Sequence, residues 1–231
     1  MNSGVGIFVK NPAPGKVKTR LLPFVSADEA ARLYGAFLRD TIHNVSRIQC
    51  HARFIAYWPE EARATVQELA PHGFMLCLQQ GANLGQRMSR FFDWCFGHGL
   101  ERVVLIGSDS PTLPMSFLED ALESLYDVPV VLGPCYDGGY YLIGLSRAIR
   151  GIFDKIDWSS DRVFAQTISR LKKAGEGFRI LNPWYDVDTP ESLRFLVNHV
   201  DALAESKSEE LPRFTYEVVK DLRMNGDEKQ Q

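Results

Sequence analysis

Short apolar runs alternate with amphipathic stretches along this chain, and that alternation constrains the fold more than any single motif. Residues 4–9, 52–57, 74–78, 103–106, 128–132, 140–145 and 178–181 read as strands. Between them, apolar residues recur at helical spacing over 26–38, 60–69, 84–96, 161–173 and 190–200. Ser26, with Glu29 three positions later, predicts a capping box at the start of the first helix, whose apolar stripe is Ala30, Leu33, Phe37 and Leu38. The stripe over 84–96 is Leu84, Met88, Phe91, Phe92 and Cys95. Strands that alternate with helices are joined by crossovers, which predicts an α/β fold with a mostly parallel sheet covered on both faces.

The 231 residues suffice for one large domain of this kind or two small ones. No apolar run reaches the roughly 18 to 20 residues of a membrane span. The N-terminus lacks the charged, apolar, small-residue order of a secretory signal, so a soluble cytoplasmic protein with no membrane partner is expected. A net charge of −3 argues against a nucleic-acid partner, since such proteins carry a broad basic face. Cys50, Cys77, Cys95 and Cys135 form no C-x-x-C pair and read as buried thiols. After about position 201 the sequence turns polar, although Phe214, Val218, Val219 and Leu222 suit one more docked helix before a frayed end over 225–231. The expected organisation is a folded unit over residues 1–200 and an extension over 201–231.

Against this mildly acidic balance, "KNPAPGKVKTRL" concentrates Lys10, Lys16, Lys18 and Arg20 before the first acid of the chain, Asp28. Ligands of an open α/β sheet bind beyond the carboxyl ends of its strands, where this loop must lie. Pro12 and Pro14 restrict the backbone and Gly15 frees it, so a stiff loop presents cations to a di- or triphosphate. The spacing is neither a P-loop nor a dinucleotide fingerprint: Val17 follows Lys16, and Val9 stands where the third glycine would be.

Acids converge on the same edge. The strand over 103–106 runs into Gly107, Ser108 and Asp109, so Asp109 emerges at the carboxyl edge, where it can hold Mg²⁺ or Mn²⁺ or cap the next turn. Asp186 and Asp188 flank Val187 just before a helix that Thr189 and Pro190 can start, and in an extended chain they point the same way. Asp137-Gly138-Gly139 between two apolar runs marks a hairpin turn or a close approach to a ligand. Trp158, Ser159 and Ser160 suit an acceptor pocket, with Trp158 equally suited to the core.

Taken in order, "FVKNPAPGKVKTRL", "NLGQRM", "GSDSPTLP", "LGPCYDGGYYLIGL", "DKIDWSSDRV" and "DVDTPESL" resemble the bacterial radical-SAM/selenodomain-associated transferases, a family of the nucleotide-diphospho-sugar transferase superfamily. The resemblance covers roughly residues 4–200. It implies a single Rossmann-like α/β/α sandwich of GT-A type. It also implies donor contacts from Lys10, Pro14, Gly15, Lys16, Lys18, Arg20 and Ser108, and a metal held by Asp109 and Asp188, with Asp186 as the alternative to Asp188. The chain departs from the Asp-x-Asp of metal-dependent glycosyltransferases, because Asp109 is followed by Ser110 and Pro111, as in nucleotidyltransferases with a single Asp before Pro.

These residues favour a metal-dependent nucleotidyltransferase using a nucleoside triphosphate, with Lys16, Lys18 and Arg20 neutralising the leaving pyrophosphate and with Asp109 in catalysis. The alternative is a glycosyltransferase moving a sugar from a nucleotide-sugar to a hydroxyl acceptor, with Asp137 as base. A nucleotide-binding module without catalysis is the third reading. In the catalytic readings, the partners are a nucleotide or nucleotide-sugar donor and a small-molecule acceptor.

Overall fold

The computed structural model describes residues 2–228, with side chains over 2–223. Seven strands and seven α-helices follow in the order β1 (Ser3–Lys10), α1 (Ala27–Arg47), β2 (Ala52–Trp58), α2 (Arg63–Leu69), β3 (Phe74–Leu78), α3 (Leu84–Gly97), β4 (Arg102–Ile106), α4 (Met115–Ser124), β5 (Val130–Pro134), β6 (Tyr140–Leu145), α5 (Val163–Ala174), β7 (Phe178–Ile180), α6 (Pro190–Glu205) and α7 (Arg213–Glu228). The strands form one sheet in the order β3-β2-β1-β4-β6-β5-β7. Only β6 runs against its neighbours. This is the mostly parallel, two-faced α/β sheet that the alternation predicts.

Each strand serves two cores because its side chains alternate. In β4, Val104 and Ile106 join the cluster under α1, α4, α6 and α7, whereas Val103 and Leu105 join the cluster under α3 and α5. Gly6 of β1 has a packing role: a Cβ there would overlap the ring of Phe91 on α3. The helix starts follow from their caps. Ser26 and Glu29 form the reciprocal capping box of α1, and Thr189 caps α6 with Pro190 in its first turn.

Three differences from the sequence reading have a clear local cause or consequence. Helix α4 has no counterpart in it; its cap is Pro114, which offers no side-chain acceptor, so the usual start signal is missing. Strand β5 begins at Val130, after Pro129, rather than at 128. Helix α6 runs on to Glu205, past the point where the composition turns polar. Leu84 opens α3 but is exposed, outside the buried stripe of Met88, Phe91, Phe92 and Cys95.

Helix α7 lies on α1, where Val218 and Val219 enter the core. Asp40 of α1 fastens its start. The carboxylate accepts from the backbone N–H of Phe214 (3.2 Å) and of Thr215 (2.8 Å), and from the Thr215 hydroxyl (2.6 Å). Helix α7 runs to Glu228, so residues 225–228 of the expected frayed end are helical, and the remainder, 229–231, lies outside the described residues. Among the described residues, no helix is long and apolar enough to cross a membrane.

Candidate functional site: a cationic loop closed over two carboxylates

The loop after β1 is drawn into the protein at two points. Val17 and Leu21 are buried in the core beneath α1, and they carry the intervening Lys18 inward with them. Lys18 adopts a left-handed backbone conformation, φ 50°, which costs a non-glycine residue on the order of 1 kcal/mol. Its side chain is 2% exposed, and its ammonium lies 2.5 Å from Asp109 Oδ1 and 2.9 Å from Asp188 Oδ1. The rings of Phe37 and Tyr34 stand 5.3 and 5.7 Å from the same nitrogen. Burial alone would lower the Lys18 pKa, but the two carboxylates more than reverse this, so it stays a cation.

Asp109 and Asp188 arrive from distant parts of the chain. Asp109 follows β4, and Asp188 precedes α6. Backbone bonding brings them together: the N–H of buried Val187 donates to the Asp109 carbonyl at 2.9 Å. Desolvation pushes Asp188 up, while Lys18, Lys10 and Arg20 pull it further down, so its carboxyl sits below the ordinary value. Both side chains keep an open side, at 35% and 40% exposure. Their second oxygens accept no hydrogen bond from a described residue.

Behind the pair runs a buried hydroxyl relay. The N–H of Lys10 donates to the Tyr34 hydroxyl at 3.0 Å, this hydroxyl lies 2.8 Å from Ser108 Oγ, and Ser108 donates to the Phe8 carbonyl at 3.0 Å. The relay ties the end of β1, where the cationic loop starts, to the end of β4, where Asp109 emerges.

These groups open into one cavity of about 450 Å³. Lys10, Lys16, Lys18, Thr19 and Arg20 line one side; Asp109, Asp188, Asp137, Asp161, Ser159 and Ser160 line the rest. Arg20 and Asp109 therefore face the same space.

A family model described as "Uncharacterized protein conserved in bacteria (DUF2064)" matches residues 41–160. A solved protein of Desulfovibrio desulfuricans G20, provisionally described as a nucleotide-diphospho-sugar transferase, is 34% identical over 97% of this chain and 98% of that one, with a TM-score of 0.86. The chain belongs to the DUF2064 family. No curated protein matches it. Two more distant structures share the fold. One is a CMP:2-keto-3-deoxy-manno-octonic acid synthetase complexed with CTP, with 12% identity, 90% and 100% coverage and a TM-score of 0.56. The other is the 4-diphosphocytidyl-2C-methyl-D-erythritol synthase of Anaerococcus prevotii DSM 20548, with 9% identity, 87% and 96% coverage and a TM-score of 0.60.

In this DUF2064 chain the cavity gathers most of the residues singled out in the sequence. Pro14 and Gly15 are not among its lining. Pro14 borders a groove between α1 and α7, and Gly15 supplies the turn before Lys16 with φ 71°. Ser108 is buried in the relay rather than facing the cavity. Trp158 packs against Phe153 and the core under α3, while Ser159 and Ser160 reach the cavity. The Asp137-Gly138-Gly139 stretch is the β5–β6 hairpin turn, and Gly138 also approaches another backbone closely. That backbone is its own: a Cβ at Gly138 would overlap the Asp161 carbonyl, and Phe164 donates its N–H to Gly138 at 2.9 Å.

Asp186 and Asp188 have different surroundings. Asp186 accepts from Ser110 and from the Cys135 thiol at 3.2 Å, and burial raises its carboxyl to about 6. Two ligand sets result. Asp109 and Asp188 offer only carboxylate oxygens beside the cationic loop, which suits a hard ion such as Mg²⁺ or Mn²⁺. Cys135, Asp137 and Asp186 bring ligand atoms within 4.8 Å of one another, but burial holds the Cys135 thiol protonated, and sulfur suits softer ions. The oxygen pair suits the divalent ion expected from the sequence.

Tyr34 and Asp161 were not anticipated. The signal for Tyr34 was available: a tyrosine inside the apolar stripe of α1, three positions before Phe37, carries a hydroxyl that needs a buried partner.

Proposed function

We propose that this protein is a metal-dependent transferase acting on a nucleotide donor, and that it transfers a nucleotidyl group from a nucleoside triphosphate. One observation carries the reading: the cations of the first loop and the Asp109–Asp188 pair line a single cavity at the carboxyl edge of β1 and β4. The Desulfovibrio relative supports donor chemistry of this superfamily, and the ordered sequence motifs support the narrower radical-SAM/selenodomain-associated grouping.

Lys10, Lys16 and Arg20 are exposed and make no ion pair with a described residue, so their charge is available to donor phosphates. A nucleophilic oxygen of the acceptor forms a bond to the α-phosphorus as the bond to the pyrophosphate oxygen breaks. Lys16 and Arg20 stabilise the charge that gathers on the departing pyrophosphate. A Mg²⁺ or Mn²⁺ held by Asp109 and Asp188 would supply further neutralisation of the phosphates. A phosphate nucleophile is already ionised and needs no base.

The second reading is glycosyl transfer to a hydroxyl, and the position of Asp137 favours it. Asp137 is exposed at the hairpin turn, lines the cavity, and has one oxygen engaged by the Gly139 N–H at 2.8 Å. Its other oxygen is free to take a proton.

All cavity-lining residues lie between positions 10 and 188, which supports assigning the chemistry to residues 1–200 and a supporting role to 201–231. Four unpaired cysteines suit a reducing compartment, so we assign the protein to the cytoplasm.

The deciding assay incubates the protein with nucleoside triphosphates or nucleotide-sugars, Mg²⁺ or Mn²⁺, and a panel of acceptors. Pyrophosphate release that Asp109→Asn abolishes is the expected result. Release of a nucleoside diphosphate from a nucleotide-sugar supports the second reading, and turnover indifferent to Asp109 refutes both.

A further inference from the structure

We propose that Lys18 is a fixed counter-ion that keeps a bare divalent ion out of the Asp109–Asp188 pair, so that the metal loads only together with a polyphosphate. The inference rests on the reading that these two carboxylates are the ion's ligands.

Lys18 is held firmly. Val17 and Leu21 anchor its backbone on both sides, and its side chain runs inward to 2% exposure. Two rings and two carboxylates surround the ammonium at 5.3, 5.7, 2.5 and 2.9 Å. A surface lysine swings aside when a metal arrives; this one is held by both carboxylates beneath two rings, and its left-handed backbone is part of the same arrangement.

A divalent ion would be left the two carboxylate oxygens that Lys18 does not engage, with the ammonium still bound to the other two. Lys18 cancels one of the pair's two negative charges. It also sets a like charge a few ångströms from the ion in a partly buried site, where repulsion is weakly screened. The pair alone is then a poor site for Mg²⁺ or Mn²⁺. A polyphosphate reverses the balance. It brings several negative charges, its oxygens fill coordination positions, and Lys10, Lys16 and Arg20 receive its outer phosphates. Metal and donor thus enter as one unit, and the empty site does not accumulate ions.

The proposal separates Lys18 from its three neighbours in the loop. Those act on the donor directly. Lys18 is a positioning residue: it acts on the carboxylates, and its removal raises their affinity for the bare ion.

Free Mn²⁺ measured by electron paramagnetic resonance, titrated against the full chain with no nucleotide present, tests this. Lys18→Met, similar in length and uncharged under the Tyr34 and Phe37 rings, is expected to bind Mn²⁺ at least tenfold more tightly than the wild type. Adding Asp109→Asn is expected to remove that gain. Lys18→Gln carries the same expectation if the methionine variant does not fold, and the thermal unfolding of each variant is recorded alongside. Mn²⁺ binding that Lys18→Met leaves equal or weakens, but that still requires Asp109, overturns the inference while keeping the ligands. Binding that is indistinguishable in all variants overturns the ligand assignment as well.

Discussion

The hydroxyls of Tyr34 and Ser108 lie 2.8 Å apart, both buried, and they bridge an α-helix to the strand edge where the carboxylates gather. The bond fixes the spacing between the start of the cationic loop and Asp109. Tyr34→Phe preserves the ring over Lys18 but strands the Lys10 N–H and removes a partner of Ser108. The expected cost is about 1 to 2 kcal/mol, as for a buried hydrogen bond with one partner left unmatched. Urea unfolding checks it: the midpoint should fall with the slope unchanged.

Gly138 joins the hairpin turn to the segment that carries Ser159, Ser160 and Asp161. Its φ of 87° and the Asp161 carbonyl leave no place for a Cβ. Gly138→Ala should destabilise the protein by roughly 1 to 3 kcal/mol. Limited proteolysis over residues 154–162 should become faster, because the segment loses the surface it rests on. Unchanged stability and cleavage would show that the approach of the two backbones is not maintained.

Asp40 holds the start of α7 with three accepted hydrogen bonds. Asp40→Ala leaves those donors without their acceptor and should cost about 2 kcal/mol, as the loss of a strong helix cap does. The pH dependence has a definite sign. Burial raises the Asp40 carboxyl, and the donors recover only part of the shift. The folded state therefore binds this proton more tightly than the unfolded state. Its contribution is fully present below about pH 4 and is lost as pH rises through the elevated folded value. The stability of the wild type relative to Asp40→Asn should fall between acid and neutral pH, which paired denaturation curves at each pH will measure.

The architecture was legible because it rests on local signals. Alternating apolar runs located every strand to within two residues at each end, and Ser26 with Glu29 announced α1. Helix α4 escaped because Pro114 carries no capping side chain, although Leu118, Ala121, Leu122 and Leu125 recur at helical spacing. The site was legible as a set of charges but not as an arrangement. Lys18 reads as one more cation in a basic run; only the burial of Val17 and Leu21, set by tertiary packing, sends it to the acids instead of the cavity mouth. Likewise Asp186 and Asp188 are equivalent in sequence. The Val187 N–H bond to Asp109 and the positions of Ser110 and Cys135 distinguish them, and those contacts join residues about fifty to eighty positions apart.

The measurement that bears most directly on the account is isothermal titration of nucleoside triphosphates and nucleotide-sugars, each with Mg²⁺, into the wild type, Lys16→Ala and Arg20→Ala. Both side chains are exposed, so neither change should disturb folding. At least one of these ligands should bind the wild type, and each substitution should weaken it about tenfold, near 1.4 kcal/mol. Equal affinity in all three proteins would contradict the claim that this loop receives the donor's phosphates.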